Sequence, residues 1–400
     1  MTAAIEFQSV DILFARQPGR SGKAALREAL AALDAGGTRA DIQSKFGVIV
    51  GVAGATLSVE QGEISVLMGL SGSGKSTLLR AANGLNRVTR GHVQIRDGAS
   101  SVDVATCGTA QLRGVRRERV AMVFQQFGLL PWRTVRENVG FGLELRGEEA
   151  AARKTVVDEK LELVGLSQWA DRHVSELSGG MQQRVGLARA FATEADILLM
   201  DEPFSALDPL IRGKLQGELL ALQERVKKTI LFVSHDMDEA LRLGDRISIL
   251  QNGRIIQTGT AEDIVLAPAD DYVAEFVRHM NPLDVLTGGM IMCERARMPT
   301  EGGVLWLDER RRYRLSLGSA DEALGLQFDG ADHTLRHVHD DAAAAAVESG
   351  LAVVPASFSL QSIIRLRQAT GHPVLLSEGG KIVGVCGEAE IIRALAGSRH

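Results

Sequence analysis

The stretch ISVLMGLSGSGKST, residues 64–77, decides the fold. ISVLM is a compact, mainly apolar run of the kind that forms a buried parallel strand. Behind it, Gly69, Gly74, Lys75 and Ser76 meet the pattern G-x-x-x-x-G-K-[ST]. Residues Gly69, Leu70, Ser71, Gly72, Ser73, Gly74, Lys75, Ser76 and Thr77 are thereby expected to wrap a β-phosphate with backbone N–H groups. Lys75 is expected at the β/γ oxygens and the Ser76 hydroxyl on Mg²⁺. The helix predicted from Ser76 onward adds its positive N-terminal end.

Three further runs resemble ISVLM: VAMVF (120–124), ILLM (197–200) and TILFV (229–233). Helical patterns separate them, which predicts an α/β core with a mainly parallel sheet. Gln125 follows the first run, Asp201 and Glu202 the second, Ser234 and His235 the third. All therefore sit at carboxyl ends of strands, the edge where open α/β sheets bind ligands. Asp201 is the candidate for Mg²⁺ and Glu202 for the general base that polarises an attacking water. The Gln125 amide is a candidate for both the metal and the water, with Gln126 the alternative at that corner. His235 is a candidate to hydrogen-bond a γ-phosphate; a histidine at a strand end also serves structure alone.

Outside this frame, IEFQSVDILF (5–14) alternates as a half-buried strand does, and VIVGVAGATLSVEQGE has strand character. An Ala-rich stretch at 20–45 reads as one or two inserted helices. Residues 127–180 read as a helical subdomain. RISILQNGRIIQTG predicts a hairpin turning at Asn252-Gly253. The character changes after Asn281-Pro282, so domains are expected at 1–280 and 281–400.

The totals exclude several classes. The 400 residues carry a net charge of −5, which gives no bulk signal for nucleic-acid binding. The longest apolar runs are far too short to span a bilayer. MTAAIEFQSVD is acidic and alternating, unlike a secretory leader. Cys107, Cys293 and Cys386 form no spaced pair and read as reduced thiols.

ELSGGMQQR (176–184) raises a different question. Ser178, Gly179 and Gly180 offer a hydroxyl and bare backbone at a helix start, which suits an anion. The helical insertion separates them from the phosphate loop. If it projects from the sheet, one chain cannot bring both elements to one phosphate, but two chains packed head to tail can. A homodimer with two nucleotides at its interface is expected.

GLSGSGKST, Gln125, LSGGM, ILLMDEP, SALD (Ser205–Asp208) and His235 together resemble the nucleotide-binding subunit of an ABC transporter over about residues 5–280. The resemblance implies an ATP sandwich, with Ser205–Asp208 linking its two sites and Asp208 near the nucleotide. Met181 departs from the usual Gln and points, with the 20–45 insertion, QQFGLLPWRTVRENV and PLIRGKLQGELLALQ, to importers of quaternary amines. QFGLLPWRTV and HMNPLDVL are most similar to the choline branch. The family further implies an aromatic stacked on adenine, Phe14 or Phe46, either of which also reads as a core residue. It implies a membrane permease, an external substrate-binding protein, and a peripheral place on the cytoplasmic face of the membrane.

Phe127, Leu129, Leu130, Pro131 and Trp132 either pack into the helical subdomain or form a partner patch, which the resemblance assigns to the permease. Residues 350–397 resemble one CBS motif, read as strand, turn, strand and helix after a preceding helix. That makes the second domain a small α+β, CBS-like regulatory unit or a dimer-stabilising cap without ligand. His333 and His337 have helical i,i+4 spacing, open to a metal or a solvated turn. RGVRRER (113–119) reads as a solvated helix face. The competing reading is a soluble ABC ATPase acting on nucleic acid or the ribosome; against it stand one cassette, no heptad insertion and no basic arm. A P-loop kinase or GTPase leaves LSGGM unexplained.

Overall fold

A computed structural model describes residues 3–16, 19–278, 283, 286–301, 304–308, 310–318, 321–344, 347 and 349–396. The chain divides into two compact units, 1–264 and 265–400. The division precedes the expected point near residue 281, because helix Asp271–Arg278 groups by packing with the second unit.

The first unit opens with β1 (Ala3–Ala15), then α1 (Arg20–Asp34) and α2 (Arg39–Phe46), the two inserted helices. β2 (Val48–Glu60), β3 (Ile64–Met68), α3 (Lys75–Ala81), β4 (Arg90–Asp97) and β5 (Ser100–Asp103) follow. Next are α4 (Thr109–Gly114), β6 (Val120–Val123), α5 (Val135–Val139), α6 (Phe141–Arg146), α7 (Ala150–Leu163) and α8 (Gly179–Ala192). The unit continues through β7 (Ile197–Asp201), α9 (Pro209–Val226), β8 (Thr229–Val233), α10 (Met237–Leu243), β9 (Arg246–Gln251) and β10 (Arg254–Gly259).

Two sheets result. One is antiparallel, in the order β2-β1-β4-β5; the other has six strands in the order β10-β9-β3-β8-β7-β6. In the second, β9, β3, β8, β7 and β6 are mutually parallel and only β10 runs against its neighbour. The four apolar runs occupy β3, β6, β7 and β8, as their composition predicts. One buried cluster joins the sheets: Phe7 and Ile12 from β1, Leu78 and Leu79 from α3, and Leu199 and Leu231 from β7 and β8. The β9–β10 turn places Asn252 and Gly253 at φ 50° and 80°, the two positive values a tight hairpin demands. α1 and α2 pack over Leu13, Val48 and Val50 around Ala29, Leu33 and Ile42, a small separate core.

In the second unit, a mixed sheet orders its strands 293–294, 381–386, 374–378, 351–355 and 335–337. Helices Leu360–Thr370 and Glu388–Ala396 with strands 374–378 and 381–386 form the helix–strand–turn–strand–helix succession read at 350–397, and strand 351–355, which was not read, precedes it. The preceding residues instead form an antiparallel sheet of strands 300–301, 304–306, 313–317, 323–328 and 331–333. His333 and His337 lie on separate short strands, so their sequence spacing does not place them on one helix face. The His333 ring stacks edgewise on Phe328 and His372, and among the described residues no cluster of metal-ligating side chains occurs. No described helix is long and apolar enough to cross a membrane.

Candidate active site

Parallel strands carry their carboxyl ends to one edge, and the polar residues predicted there meet. Asp201 is buried at the end of β7. Its Oδ1 accepts from Ser76 Oγ at 2.7 Å, and its Oδ2 from Arg80 Nη2 at 2.7 Å and Nε at 3.1 Å. Arg80 lies one turn beyond Ser76 on α3, so a single helix presents both donors. A buried carboxylate without such partners is strongly disfavoured.

Gln125 Nε2 donates to Glu202 Oε2 at 3.2 Å, and His235 Nδ1 lies 3.3 Å from the same oxygen. The residue brought to Glu202 is thus Gln125, not Gln126. Glu202 itself sits at φ 50°, a region costly for a residue with a Cβ by about 1–3 kcal/mol. Its amide donates to Val233 O at 3.1 Å and its carbonyl accepts from Gln183 Nε2 at 3.1 Å. These two bonds hold the strained backbone.

In the phosphate loop, a Cβ on Gly69 would stand 2.2 Å from Leu250 O, and one on Gly74 2.5 Å from Gly51 O. Both positions also have positive φ, so a side chain is barred twice. Lys75 is buried, and Nζ donates to Gly69 O at 2.7 Å and Leu70 O at 3.1 Å. Burial lowers its pKa, while the Glu202 and Asp201 carboxylates oppose that shift. Ser73 Oγ is buried with no hydrogen-bond partner. The oxygen donors Ser76, Asp201 and Gln125 suit a hard divalent cation such as Mg²⁺.

Phe14 is 40% exposed, and its ring edge lies 2.8 Å from where a Gly51 Cβ would stand, with Thr77 Cγ2 at 3.0 Å. Phe46 packs instead against the inserted-helix core. Ser178 caps α8, accepting from Met181 N at 3.4 Å. Gly180 faces the Ser205–Asp208 loop, where its Cβ would meet Ala206 O at 3.3 Å. Asp208 caps α9, its Oδ1 accepting from Ile211 N at 3.0 Å.

Several residues were missed by sequence reasoning. Gln183 also accepts from Ala206 N at 3.1 Å, so one buried side chain ties α8 to the Glu202 turn and the loop after it. Arg39, at the start of α2, donates to Gly72 O at 3.2 Å, bringing the insertion to the phosphate loop. Buried Asn138 accepts from Leu130 N at 2.8 Å and donates to Leu130 O and Thr134 O at 3.1 and 2.9 Å. Arg189, its pKa lowered by burial, donates to Gly128 O at 2.7 Å and Phe127 O at 2.9 Å. The loop after Gln125 is therefore pinned at two points. Phe127, Leu129 and Leu130 are half-buried, while Pro131 and Trp132 are exposed, Trp132 to 71%. In the basic run, Arg116 donates to Asn83 O and Arg119 pairs with Asp97 and Asp196, so it is partly structural rather than only solvated.

Residues 52–205 match the ABC transporter family. The chain is also 40% identical over 404 residues to a glycine betaine/proline betaine transport system ATP-binding protein of Escherichia coli (strain K12), covering 99% of this chain and 98% of that protein. The chain belongs to the ATP-binding subunits of ABC transporters. Another relative of the subunit is a trimethylamine N-oxide transport system ATP-binding protein of Ruegeria pomeroyi (strain ATCC 700808 / DSM 15171 / DSS-3), 48% identical over 64% of this chain and 74% of its own length. Among solved structures, the dimeric post-hydrolysis state of the ATP-binding cassette MJ0796 bound to ADP and Pi is 28% identical, with a TM-score of 0.54 over 64% of this chain and 98% of that one. The subunit is accordingly an ABC-type ATPase, and the P-loop α/β fold read for its cassette is the one the first unit has.

Proposed function

We propose that the subunit hydrolyses ATP to energise import of a quaternary amine or related methylated osmolyte, glycine betaine or choline foremost. The observation that carries the hydrolytic part is the convergence of Gln125 and His235 on one Glu202 oxygen, beside the Ser76–Asp201 pair. Glu202 acts as the general base toward water, oriented by Gln125, and His235 contacts the γ-phosphate. Lys75, turned toward loop carbonyls, neutralises the β/γ oxygens. Ser76, Asp201 and Gln125 would hold Mg²⁺, which supplies charge neutralisation at the phosphates. Phe14 stacks on adenine; its exposure beside Gly51 and Thr77 supports it over Phe46.

Ser178–Gly180, presented beside the Ser205–Asp208 loop, closes on the ATP of a second copy. The dimer seen for MJ0796 supports this reading. Partners are a membrane permease, met through the exposed Pro131–Trp132 corner, and an external substrate-binding protein. The subunit acts at the cytoplasmic face of the membrane. The second unit, CBS-like at 350–397, regulates it. The osmolyte class is supported by the two relatives above, whose names specify betaines and trimethylamine N-oxide.

Uptake of labelled glycine betaine, choline and proline in cells lacking the gene, restored with wild type or Glu202→Gln, tests this. Rescue by wild type alone is expected, with the lost solute naming the substrate. Unimpaired uptake of all three, with no redundant importer, overturns the transport reading.

A further inference from the structure

Behind His235 lies a buried polar cluster. Ser234, Gln216 of α9 and Glu239 of α10 are all buried. Gln216 Nε2 donates to Glu239 Oε1 at 2.9 Å, and Ser234 Oγ lies 2.5 Å from Glu239 Oε2. Asp236 N donates to Ser234 Oγ at 3.0 Å, and Asp236 O lies 3.2 Å from the same hydroxyl. Arg212, one turn before Gln216 on α9, pairs with Asp236 at 3.4 Å and donates to Leu207 O at 3.4 Å. Arg242 completes the charged surround, donating to Gln216 Oε1 at 3.5 Å. Both neighbours of His235 in sequence are thus held from α9 and α10.

A serine hydroxyl has one proton to give. If Glu239 is a neutral acid, it donates to Ser234 Oγ, Ser234 donates to Asp236 O, and Gln216 donates to the remaining carboxyl oxygen. If Glu239 is ionised, Ser234 gives its proton to the carboxylate, and Asp236 O keeps Ala240 N as its donor at 3.2 Å. Burial raises the Glu239 pKa, and Asp236 adds to the rise while Ser234, Gln216 and Arg212 oppose it. Burial favours the neutral acid, and in either form the carboxyl group pairs with both Ser234 and Gln216.

We propose that Glu239 is a positioning residue: through Ser234 it sets the His235 ring at Glu202, and through Gln216 and α9 it ties that ring to the Ser205–Asp208 loop. The proposal rests on the role given to His235 above. It makes the loop that faces α8 and the residue that meets Glu202 parts of one hydrogen-bonded body.

Steady-state ATP hydrolysis by the purified full chain tests it, comparing wild type with Glu239→Ala, Glu239→Gln, Gln216→Leu, His235→Ala and the double variant His235→Ala/Glu239→Ala. Glu239→Ala is expected to lower kcat by about tenfold or more with KM within about twofold. Glu239→Gln is expected to keep about a third of kcat, because its amide donates to Ser234 and accepts from Gln216 as the neutral acid does. The double variant should be no slower than His235→Ala alone. Wild-type kcat in Glu239→Ala, a loss confined to KM, a Gln variant as slow as Ala, or additive losses each overturn it. Should Glu239→Ala fail to melt cooperatively, Gln216→Leu decides: a kcat loss of about threefold supports the proposal, and no loss overturns it. A slow His235→Ala beside a fast Glu239→Ala removes only the proposal, whereas a fast His235→Ala removes the role assigned to His235 and the proposal with it.

Discussion

The two units treat buried polarity differently. Among the described residues, the buried polar and charged side chains lie in the first unit, with the single exception of Ser362. Those of the first unit include Lys75, Asp201, Gln183, Ser234 and Glu239, all at or behind the phosphate edge, and Asn138 in the loop after Gln125. The core of the second unit is built from Leu305, Leu315, Leu351, Val353, Leu375 and Ile382. Burying a polar group is unfavourable unless each hydrogen bond is remade. At the phosphate edge such groups hold charge in place; others, such as Asp11, Glu63, Thr229 and Ser248, lie elsewhere in the first unit's sheets, while the second unit's described residues bury Ser362 alone.

The sharpest attack on this contrast is Glu202→Gln. Hydrolysis should fall by about a hundredfold or more while ATP binding persists and dimers accumulate in gel filtration with ATP. Wild-type turnover in that variant would remove the general base from Glu202. Next comes Asn138→Leu, which strips partners from Leu130 and Thr134. A loss of about 3 kcal/mol in denaturant unfolding is expected, together with poorer coupling of hydrolysis to transport.

Smaller effects belong to the second unit. Ser362→Ala removes a hydroxyl that bonds Ser359 Oγ at 3.0 Å, and should cost about 1 kcal/mol or less with kcat unchanged. A change in kcat there would break the contrast between the units. Smallest is Cys386, whose thiol burial pushes up to about 12. The folded state favours the neutral thiol, so this contribution to stability is whole below the ordinary thiol pKa of about 8.5 and lost as pH rises toward 12. In native protein at pH 8, a thiol reagent should modify Cys386 only after denaturant is added, whereas half-buried Cys107 reacts first.

Legibility followed the range of the interactions. ISVLM, VAMVF, ILLM and TILFV were readable as strands because a buried parallel strand advertises itself in consecutive residues. Asn252-Gly253 was readable because only a tight turn demands that pair. The antiparallel strands between 300 and 333 were not read: they are short, irregular in pattern and stabilised by one another. The boundary near 281 was drawn from the change of character after Asn281-Pro282, whereas packing divides the chain at 264–265.

By itself the sequence determined the phosphate-loop pattern, the strands that carry it and the polar residues at their carboxyl ends, because each is a local pattern with one steric or electrostatic solution; the strand order in the sheet came from the tertiary structure. Only the tertiary structure decided which polar groups meet. Arg80 on Asp201, Gln183 beneath Glu202, Arg39 on Gly72 and Glu239 behind Ser234 are single side chains without a motif. Their partners are chosen when distant elements pack and a desolvated donor must find an acceptor.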